Sequence, residues 1–317
     1  MPFNFLHRHK EFARLILSVS EDMDIDSALV EKDYWIMHSL YGLQQMEFSF
    51  KFKGGTSLSK GHCIIERFSE DIDIRIEPPA DMTVATNPNQ QKPQHVKSRQ
   101  NFYDWLAGKI RIDGIAAVER DPEFDDKRYS RNGAIRLRYD ARTKTLPGIR
   151  TDVLLEVGFA NVVPNSPRTI SSWVYDRAMR EGFDIEDNRA IDVACYHPGY
   201  TFLEKLQAIS TKFRKQQERD SKIDFTRHYY DIYYLLSNSE VRNFIGTEDY
   251  KAYKKKCFRR ADSSVLAENE AFLMTDPKVR EIYARVFEGP NNLFYRPRPS
   301  FEQVMETIAE ATKMEGI

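Results

Sequence analysis

Residues 48–76, FSFKFKGGTSLSKGHCIIERFSEDIDIRI, predict a strand, a glycine turn, a short helix and a second strand in direct succession. Before the turn, phenylalanines alternate with polar residues, which is the period of a strand with one buried face. In the second strand Asp71 and Asp73 share one face and the isoleucines take the other, because side chains alternate along a strand. The segment therefore predicts neighbouring strands that carry two carboxylates on an open face.

The two carboxylates require a compensating charge. Two unit negative charges about 4 Å apart repel by roughly 4 kcal/mol at an effective dielectric constant of 20. Mg²⁺ accepts hard oxygen ligands from one or two carboxylates and takes the rest from substrate phosphates and water. We therefore expect Asp71 and Asp73 to bind Mg²⁺.

The glycine pair upstream predicts a phosphate site. Gly54 and Gly55 let the backbone approach a ligand closely, and Thr56 or Ser57 is expected to cap the helix that follows. The free N–H groups at a helix start attract phosphate. The predicted phosphate ligands are Lys53, Gly54, Gly55, Thr56 and Ser57.

The same residues have a simpler interpretation. An ordinary glycine turn can precede an acidic pair that is solvated or paired with Arg67 or Arg75. Each motif alone favours that interpretation. Their order on adjacent predicted strands favours a nucleotide site.

KGGTSLSK followed by RFSEDIDI resembles the signature of polymerase-β-like nucleotidyltransferases, and specifically the AbiEii/AbiGii-type toxins of bacterial abortive-infection and toxin–antitoxin systems. The resemblance runs from about residue 25 to 240. It includes EKDYW at 31–35, LLEVG at 154–158, EKLQAIS at 204–210 and RHYYDIYYL at 227–235. His228 stands where the last family motif usually has Asp.

The resemblance implies an α/β (α+β) fold with a nucleotidyltransferase domain on a mixed sheet. From Tyr200 the hydrophobic pattern becomes helical, so we place this domain at residues 1–197 and a helical domain at 198–317. It implies transfer of a nucleoside monophosphate from an NTP to an acceptor hydroxyl, an activity of EC 2.7.7 type, by a toxin with a separate antitoxin. RNA is the expected acceptor, tRNA in some relatives. The alternatives are nucleotidylation of a protein hydroxyl and a non-catalytic nucleotide- or RNA-binding module.

Further site residues follow from the resemblance. Lys205 and Asp231 match family positions needed for activity, where Lys205 would bind phosphate and Asp231 would orient it or the acceptor hydroxyl. Either Asp152 or Glu156 can supply a third carboxylate on the predicted strand 152–159. We prefer Glu156, because an acid among large apolar residues needs a partner and LLEVG matches the family. Asp71, Asp73 and Glu156 are thus the predicted Mg²⁺ ligands.

Composition limits the partners. The 317 residues carry a net charge of −1 with a sequence pI of about 6.7, so no global basic field attracts nucleic acid. An RNA partner must meet a local patch, and six Lys or Arg residues lie within 251–260 among aromatic residues. That stretch is either a solvated face or a phosphate-backbone contact. The three cysteines lie far apart in the sequence, which predicts a protein of the reducing cytoplasm. The N-terminus has no long apolar run, so we expect neither a signal peptide nor a membrane span there.

Two further segments, residues 26–43 and 78–94, have predictable local structure. Asp26 or Ser27 is predicted to start a helix that runs to Leu43. Its charged residues Glu31, Lys32 and Asp33 are interpreted as a solvated face, while the resemblance leaves open a role for Lys32 or Asp33 at the edge of the site. Residues 78–94, rich in Pro, Asn and Gln, predict a mobile loop that is either a lid or disordered without function.

Overall fold

The computed structural model describes residues 4–144, 146, 150–219, 222–313 and 317. The chain divides into two compact units. Unit 1 comprises the chain up to His62 together with Phe68–Tyr196, and unit 2 comprises Cys63–Arg67 with His197–Ile317.

Unit 1 is built on a mixed sheet of seven strands, ordered β3-β4-β5-β2-β1-β7-β6. The strands are β1 Phe50–Lys53, β2 Asp71–Ile76, β3 Ile115–Arg120, β4 Asn132–Tyr139, β5 Asp152–Gly158, β6 Asn165–Ile170 and β7 Ala190–Tyr196. Strand β2 lies near the centre, antiparallel to β1 and parallel to β5. The mixed α/β fold is confirmed, and the two strands predicted around the glycine turn are direct neighbours.

Strand β2 shows why this segment occupies the middle of the sheet. Ile72, Ile74 and Ile76 are fully buried, whereas Asp71 and Asp73 are only partly covered. Burying a branched aliphatic side chain contributes about 1.5–3 kcal/mol, so three on one face fix the register of the strand. The same alternation leaves the carboxylates on the other face.

The described residues of unit 1 form five α-helices: α1 Phe12–Met23, α2 Ser27–Gln45, α3 Gly54–Thr56, α4 Pro93–Lys109 and α5 Trp173–Arg180. The single turn α3 continues as a wide π-helical turn, Ser57–Gly61, and packs against β2. Helix α2 begins as predicted, since the side chain of Asp26 accepts a hydrogen bond from the Ala28 N–H. It packs against α1, α5, β5 and β7.

The predicted solvated face of α2 is wrong. Glu31, Lys32 and Asp33 are at most 2% exposed, and α2 is covered on nearly every side. A charged side chain tolerates burial only when it is paired and hydrogen-bonded. Each of the three has such a partner: the Arg142 N–H for Glu31, Glu70 for Lys32 and Lys60 for Asp33.

The predicted loop at 78–94 is tied down rather than free. Arg99, on α4, is 1% exposed, and its guanidinium donates hydrogen bonds to the carbonyl oxygens of Ala85, Asn87 and Gln90. A side chain that satisfies several buried backbone carbonyls holds its loop in one conformation. The contacts argue against a lid in this segment.

Unit 2 is helical. Its helices are α6 Pro198–Arg219, α7 Arg227–Ser237, α8 Ser239–Phe244, α9 Glu248–Cys257, α10 Glu270–Leu273, α11 Pro277–Glu288 and α12 Phe301–Ala311. Helix α6 packs against α7, α8, α9 and α10, so it forms the centre of the unit. Residue Arg67, in the segment that precedes β2, pairs with Phe294 through an isolated antiparallel β-bridge.

Candidate active site

Strand register brings Lys53, Asp73 and Glu156 into one row across the sheet. Lys53 lies opposite Asp73 in the antiparallel β1–β2 pair, and Asp73 lies beside Glu156 in the parallel β2–β5 pair. Directly opposite residues on neighbouring strands point to the same face at about 5 Å. The next position on that face of β2 belongs to Asp71, so an ammonium and three carboxylates share one surface.

The electrostatics of the row centre on Glu156. Burial, followed by the charges of Asp73 and Asp71, raises the pKa of Glu156 to about 8, while Lys53 opposes the shift. The Glu156 and Asp73 side chains are also hydrogen-bonded to each other. Glu156 is therefore largely protonated at neutral pH when no cation is present.

The alternative third carboxylate, Asp152, has a different partner. Asp152 is buried at the start of β5 and accepts a hydrogen bond of 2.8 Å from Nη1 of Arg136. Arg136 also binds Asp121. Because this charge is already balanced by a guanidinium, the geometry favours Glu156 as the group that joins Asp71 and Asp73.

Gly54 makes the close approach between the turn and β2 feasible. Its φ is +78°, and a Cβ at this position would lie 1.9 Å from Oδ2 of Asp73. A side chain is excluded both by the left-handed backbone and by the carboxylate. The backbone of the turn thus lies directly against an acidic side chain of the site.

Thr56 and Ser57 have positions that differ from the prediction. Neither caps the helix, which begins at Gly54 after Lys53. The Thr56 hydroxyl donates a 2.5 Å hydrogen bond to the Asp71 carbonyl oxygen, and Ser57 is buried beside the thiol of Cys195. The Thr56 side chain therefore holds the turn to β2, and the backbone is what the turn offers to a ligand.

The donor set suits a hard divalent cation. Carboxylate oxygens are the ligands Mg²⁺ prefers, and the three carboxylates of this surface outnumber its one ammonium, Lys53. Within the described ranges, no group of three or more His, Cys, Asp or Glu side chains is arranged so that it could hold a metal ion. Asp73 and Glu156 are in contact, and Asp71 lies on the same face of β2, two residues before Asp73.

The buried charges of α2 hold the segments that build this site. Lys32 Nζ lies 2.8 Å from Oε2 of Glu70, the residue before β2. Asp33 Oδ1 lies 2.7 Å from Nζ of Lys60 in the π-helical turn. Glu70 directly precedes the strand with the carboxylates, and Lys60 follows the glycine pair. The role that the resemblance left open for Lys32 or Asp33 at the edge of the site is therefore a structural one.

Glu31 and Asp33 also anchor two other segments of unit 1. Glu31 accepts hydrogen bonds from the backbone N–H groups of Arg142 and Thr143, at the end of β4. Asp33 accepts a 2.8 Å hydrogen bond from the Trp173 N–H, at the start of α5. Three consecutive side chains therefore attach four chain segments to one helix. Only the EKDYW match hinted at this, because a run of charges alone usually indicates a solvated surface.

In unit 2, Lys205 and Asp231 are paired. Lys205 on α6 donates a 2.6 Å hydrogen bond to Oδ2 of Asp231 on α7. Arg227 lies four residues before Asp231, a spacing that on a helix predicts an ion pair, but no such pair is found among the described residues. Instead, Arg67 donates to both carboxylate oxygens, at 2.7 and 2.8 Å. Sequence reasoning missed Arg67 because 164 positions separate the two partners.

The other arginine considered as a partner of the acidic pair is accounted for. Arg75 donates to Glu77 through Nε at 2.8 Å and through Nη2 at 3.1 Å. Its guanidinium also reaches the carbonyl oxygen of Phe159. Arg75 is therefore held at the end of β2 by the carboxylate of Glu77.

Comparison with known families gives one match that spans most of the chain. A family model described as nucleotidyl transferase AbiEii toxin, type IV toxin–antitoxin system, matches residues 39–307. The matched stretch contains the glycine turn, the row on β1, β2 and β5, and the Lys205–Asp231 pair. A search of curated proteins gives no match. None of the helices in the described ranges combines the length and the apolar character needed to cross a membrane.

Proposed function

Because the chain belongs to the family of AbiEii nucleotidyl transferase toxins of type IV toxin–antitoxin systems, we propose that it transfers a nucleoside monophosphate from an NTP to an acceptor hydroxyl. Pyrophosphate is the leaving group, as in EC 2.7.7. The observation that carries the proposal is the row of Lys53, Asp73 and Glu156 against the backbone of Gly54. A type IV system also implies an antitoxin.

Asp71, Asp73 and Glu156 would hold Mg²⁺. A cation held there would supply Lewis-acid chemistry, which offsets phosphate charge and makes the acceptor hydroxyl more acidic. The chain's own contribution is to place hard oxygen ligands on one rigid surface of the sheet. In the absence of a cation, the raised pKa of Glu156 keeps its carboxyl group largely protonated at neutral pH.

The turn that follows β1 is the proposed phosphate site. The backbone N–H groups of residues 54–57 would face the triphosphate, and Lys53 would add a positive charge beside it. Thr56 would act through its bond to the Asp71 carbonyl oxygen, which keeps the turn and β2 together. Positioning and electrostatics of this kind supply most of the acceleration in phosphoryl-group chemistry.

In unit 2 we propose that Lys205 binds a phosphate group and that Asp231 orients its ammonium. The 2.6 Å hydrogen bond between them supports the second role. Burial also matters, because a lysine in dry protein surroundings interacts more strongly with an anion than a solvated one. Among the contacts of the described residues, Lys205 uses one of its three N–H donors, which leaves two for a ligand.

RNA is the proposed acceptor, and the cytoplasm the proposed location. Lys255, Lys256, Arg259 and Arg260 are exposed on or just after α9 and supply cations for a phosphate backbone. Four such contacts provide sequence-independent affinity. Transfer to a tRNA end and transfer to a protein hydroxyl use the same chemistry at the nucleotide, so the acceptor is decided by a labelling experiment.

The test incubates the purified chain with MgCl₂, α-³²P-labelled NTPs and total RNA. Label on RNA is expected with the wild type. Asp73→Asn and Glu156→Gln should abolish it, while Glu77→Gln, which removes a carboxylate just beyond β2, should retain it. Label on protein instead would establish the alternative acceptor. Tight NTP binding without transfer to either would overturn the proposal in favour of a binding module.

A further inference from the structure

The contact between Arg67 and Asp231 fixes the orientation of the carboxylate that is hydrogen-bonded to Lys205. The guanidinium donates from Nε to Oδ1 at 2.7 Å and from Nη2 to Oδ2 at 2.8 Å. Lys205 Nζ lies 2.6 Å from the same Oδ2. Oδ2 is thus shared by two cations, and the guanidinium fork fixes the plane of the carboxylate.

All three side chains are removed from solvent. Arg67, Lys205 and Asp231 are 4%, 7% and 0% exposed. Burial alone would raise the pKa of Asp231, but the positive charges of Arg67 and Lys205 outweigh it and hold this pKa below its ordinary value. Asp231 is therefore ionised at neutral pH and its single negative charge is divided between two partners.

We propose that Arg67 is a positioning residue for Lys205. Arg67 binds both oxygens of Asp231 and so orients the carboxylate. It also keeps Asp231 from forming an ion pair with the Lys205 ammonium alone. The two remaining N–H donors of Lys205 then stay directed to a phosphate group. This inference rests on the proposed function, in which Lys205 is a phosphate ligand.

The other charged groups around Lys205 do not share this geometry. Arg227 and His228 lie on α7 with Asp231, and Lys212 lies on α6 with Lys205. Burial and the charge of Lys205 hold the pKa of His228 well below its ordinary value, so His228 is neutral and adds no charge. Arg227 is exposed and is not the partner of Asp231. It therefore serves as a control from the same cluster.

Arg67 also has a measurable electrostatic effect on Lys205. Burial lowers the pKa of Lys205, Asp231 raises it, and the charge of Arg67 lowers it again, with a smaller lowering from Arg227. Replacing Arg67 with an uncharged residue should therefore raise this pKa, and replacing Arg227 should change it least. A residue that stabilised the fold without placing a charge near Lys205 would have no such effect.

The experiment measures the ionisation of Lys205 directly. The full chain is labelled with ¹³Cε-lysine, the Lys205 resonance is assigned with Lys205→Arg, and the resonance is titrated from pH 7 to 11. In Arg67→Met the midpoint should rise by about one pH unit, which corresponds to about 1.4 kcal/mol. In Arg227→Met it should move by no more than about 0.3, and in Arg67→Lys, which keeps the charge, it should stay near the wild-type value.

Binding of inorganic triphosphate, measured by calorimetry without metal, tests the consequence. Arg67→Met should weaken binding about tenfold, Arg67→Lys should weaken it because the fork is lost, and Arg227→Met should leave it within about twofold. An unchanged Lys205 midpoint in folded Arg67→Met would overturn the inference, and wild-type affinity in folded Arg67→Lys would overturn the role of the fork.

Failure of the proposed function has a separate signature. If Lys205→Met binds triphosphate as tightly as the wild type, Lys205 is not a phosphate ligand, whatever the titration shows. If Arg67→Met does not fold, Arg67→Lys still decides the question, because it retains the charge and removes only the bidentate geometry.

Discussion

At the scale of single residues, Gly54 and Glu156 carry most of what distinguishes this surface from an ordinary sheet. Gly54 lets the backbone lie against the Asp73 carboxylate, where any other residue would place a Cβ atom. Glu156 adds a third carboxylate beside Asp71 and Asp73, whose negative charges already repel each other. Both features are unfavourable for folding alone. Local strain and like charges of this kind collect at functional sites, where a ligand compensates them.

Gly54→Ala should impair catalysis far more than stability. The left-handed φ adds about 1–2 kcal/mol of strain for alanine, and the methyl group would displace the Asp73 carboxylate. We expect transfer activity to fall on the order of 100-fold, the scale associated with a misplaced catalytic group. Gly182→Ala is the matched control, because Gly182 has φ +77° and a Cβ there would meet no atom within 4 Å. Equal activities of the two variants would contradict the proposed site.

Glu156→Gln should change how stability depends on pH. In metal-free protein the pKa of Glu156 is about 8, above the ordinary value of 4.5, so the folded state binds the proton more tightly. Its stabilising contribution is complete below about pH 4.5 and is lost as pH rises through 8. Between pH 5 and 9 the wild type should lose about 2–4 kcal/mol more of its free energy of unfolding than Glu156→Gln.

Urea unfolding in EDTA at several pH values measures this difference. The two proteins should be closest in stability near pH 5, where Glu156 is protonated. Added Mg²⁺ should stabilise the wild type increasingly as pH rises, because the cation competes with the proton for the same carboxylates. Parallel pH profiles for the two proteins would show that Glu156 does not hold a proton at neutral pH.

At the scale of elements, α2 acts as the support of the site. Its residues Glu31, Lys32 and Asp33 bind segments from four places in unit 1, among them the residue before β2 and the turn after Gly55. Water cannot reach the charged side chains of a helix that is buried on all sides, so each of them must bind a partner within the protein. Such contacts limit the positions that the glycine turn and β2 can adopt.

The Asp33–Lys60 pair should behave as a coupled unit. Asp33→Asn leaves the Lys60 ammonium without its carboxylate, and we expect a loss of about 3 kcal/mol in the free energy of unfolding. Lys60→Met alone should also destabilise, since it leaves a buried carboxylate. The double variant should cost at least about 1 kcal/mol less than the sum of the single changes.

A double-mutant cycle by urea unfolding supplies these energies, and the KM for the NTP supplies the functional consequence. Both single variants should raise KM, because this pair holds the turn that we propose as the phosphate site. Additive free energies in the cycle would show that the 2.7 Å contact does not contribute to stability.

At the scale of the whole molecule, charge is nearly balanced. The net charge of −1 means that any attraction to RNA depends on where the cations lie. The exposed cations near the end of α9, Lys255, Lys256, Arg259 and Arg260, form such a local concentration. On the same helix the Lys254 ammonium lies over the Tyr250 ring, 5.6 Å from the ring centroid.

Reversing two of these charges should weaken RNA binding and reduce its salt dependence. Lys255→Glu with Lys256→Glu should lower the slope of log Kd against log salt by about 1.4, at about 0.7 for each lost phosphate contact. Lys215→Glu with Lys278→Glu changes the net charge equally, and both of those lysines are exposed on other helices. Equal effects of the two double variants, measured by fluorescence anisotropy, would remove α9 from the RNA interface.

The sequence by itself determined the strands around the glycine turn, the sharing of one face by Asp71 and Asp73, and the start of α2. These features follow from backbone periodicity and capping, which act over a few residues. The family resemblance extends the same local information, since the stretches that carry it, such as residues 31–35 and 154–158, are short and contiguous.

Only the tertiary structure decided which distant groups meet. Strand register placed Glu156 beside Asp73 and gave Asp152 to Arg136. Burial turned the charges of α2 from an expected surface into internal anchors, and long-range packing gave Asp231 to Arg67 rather than to Arg227. Such contacts depend on how the entire chain packs, and no local pattern of residues contains that information.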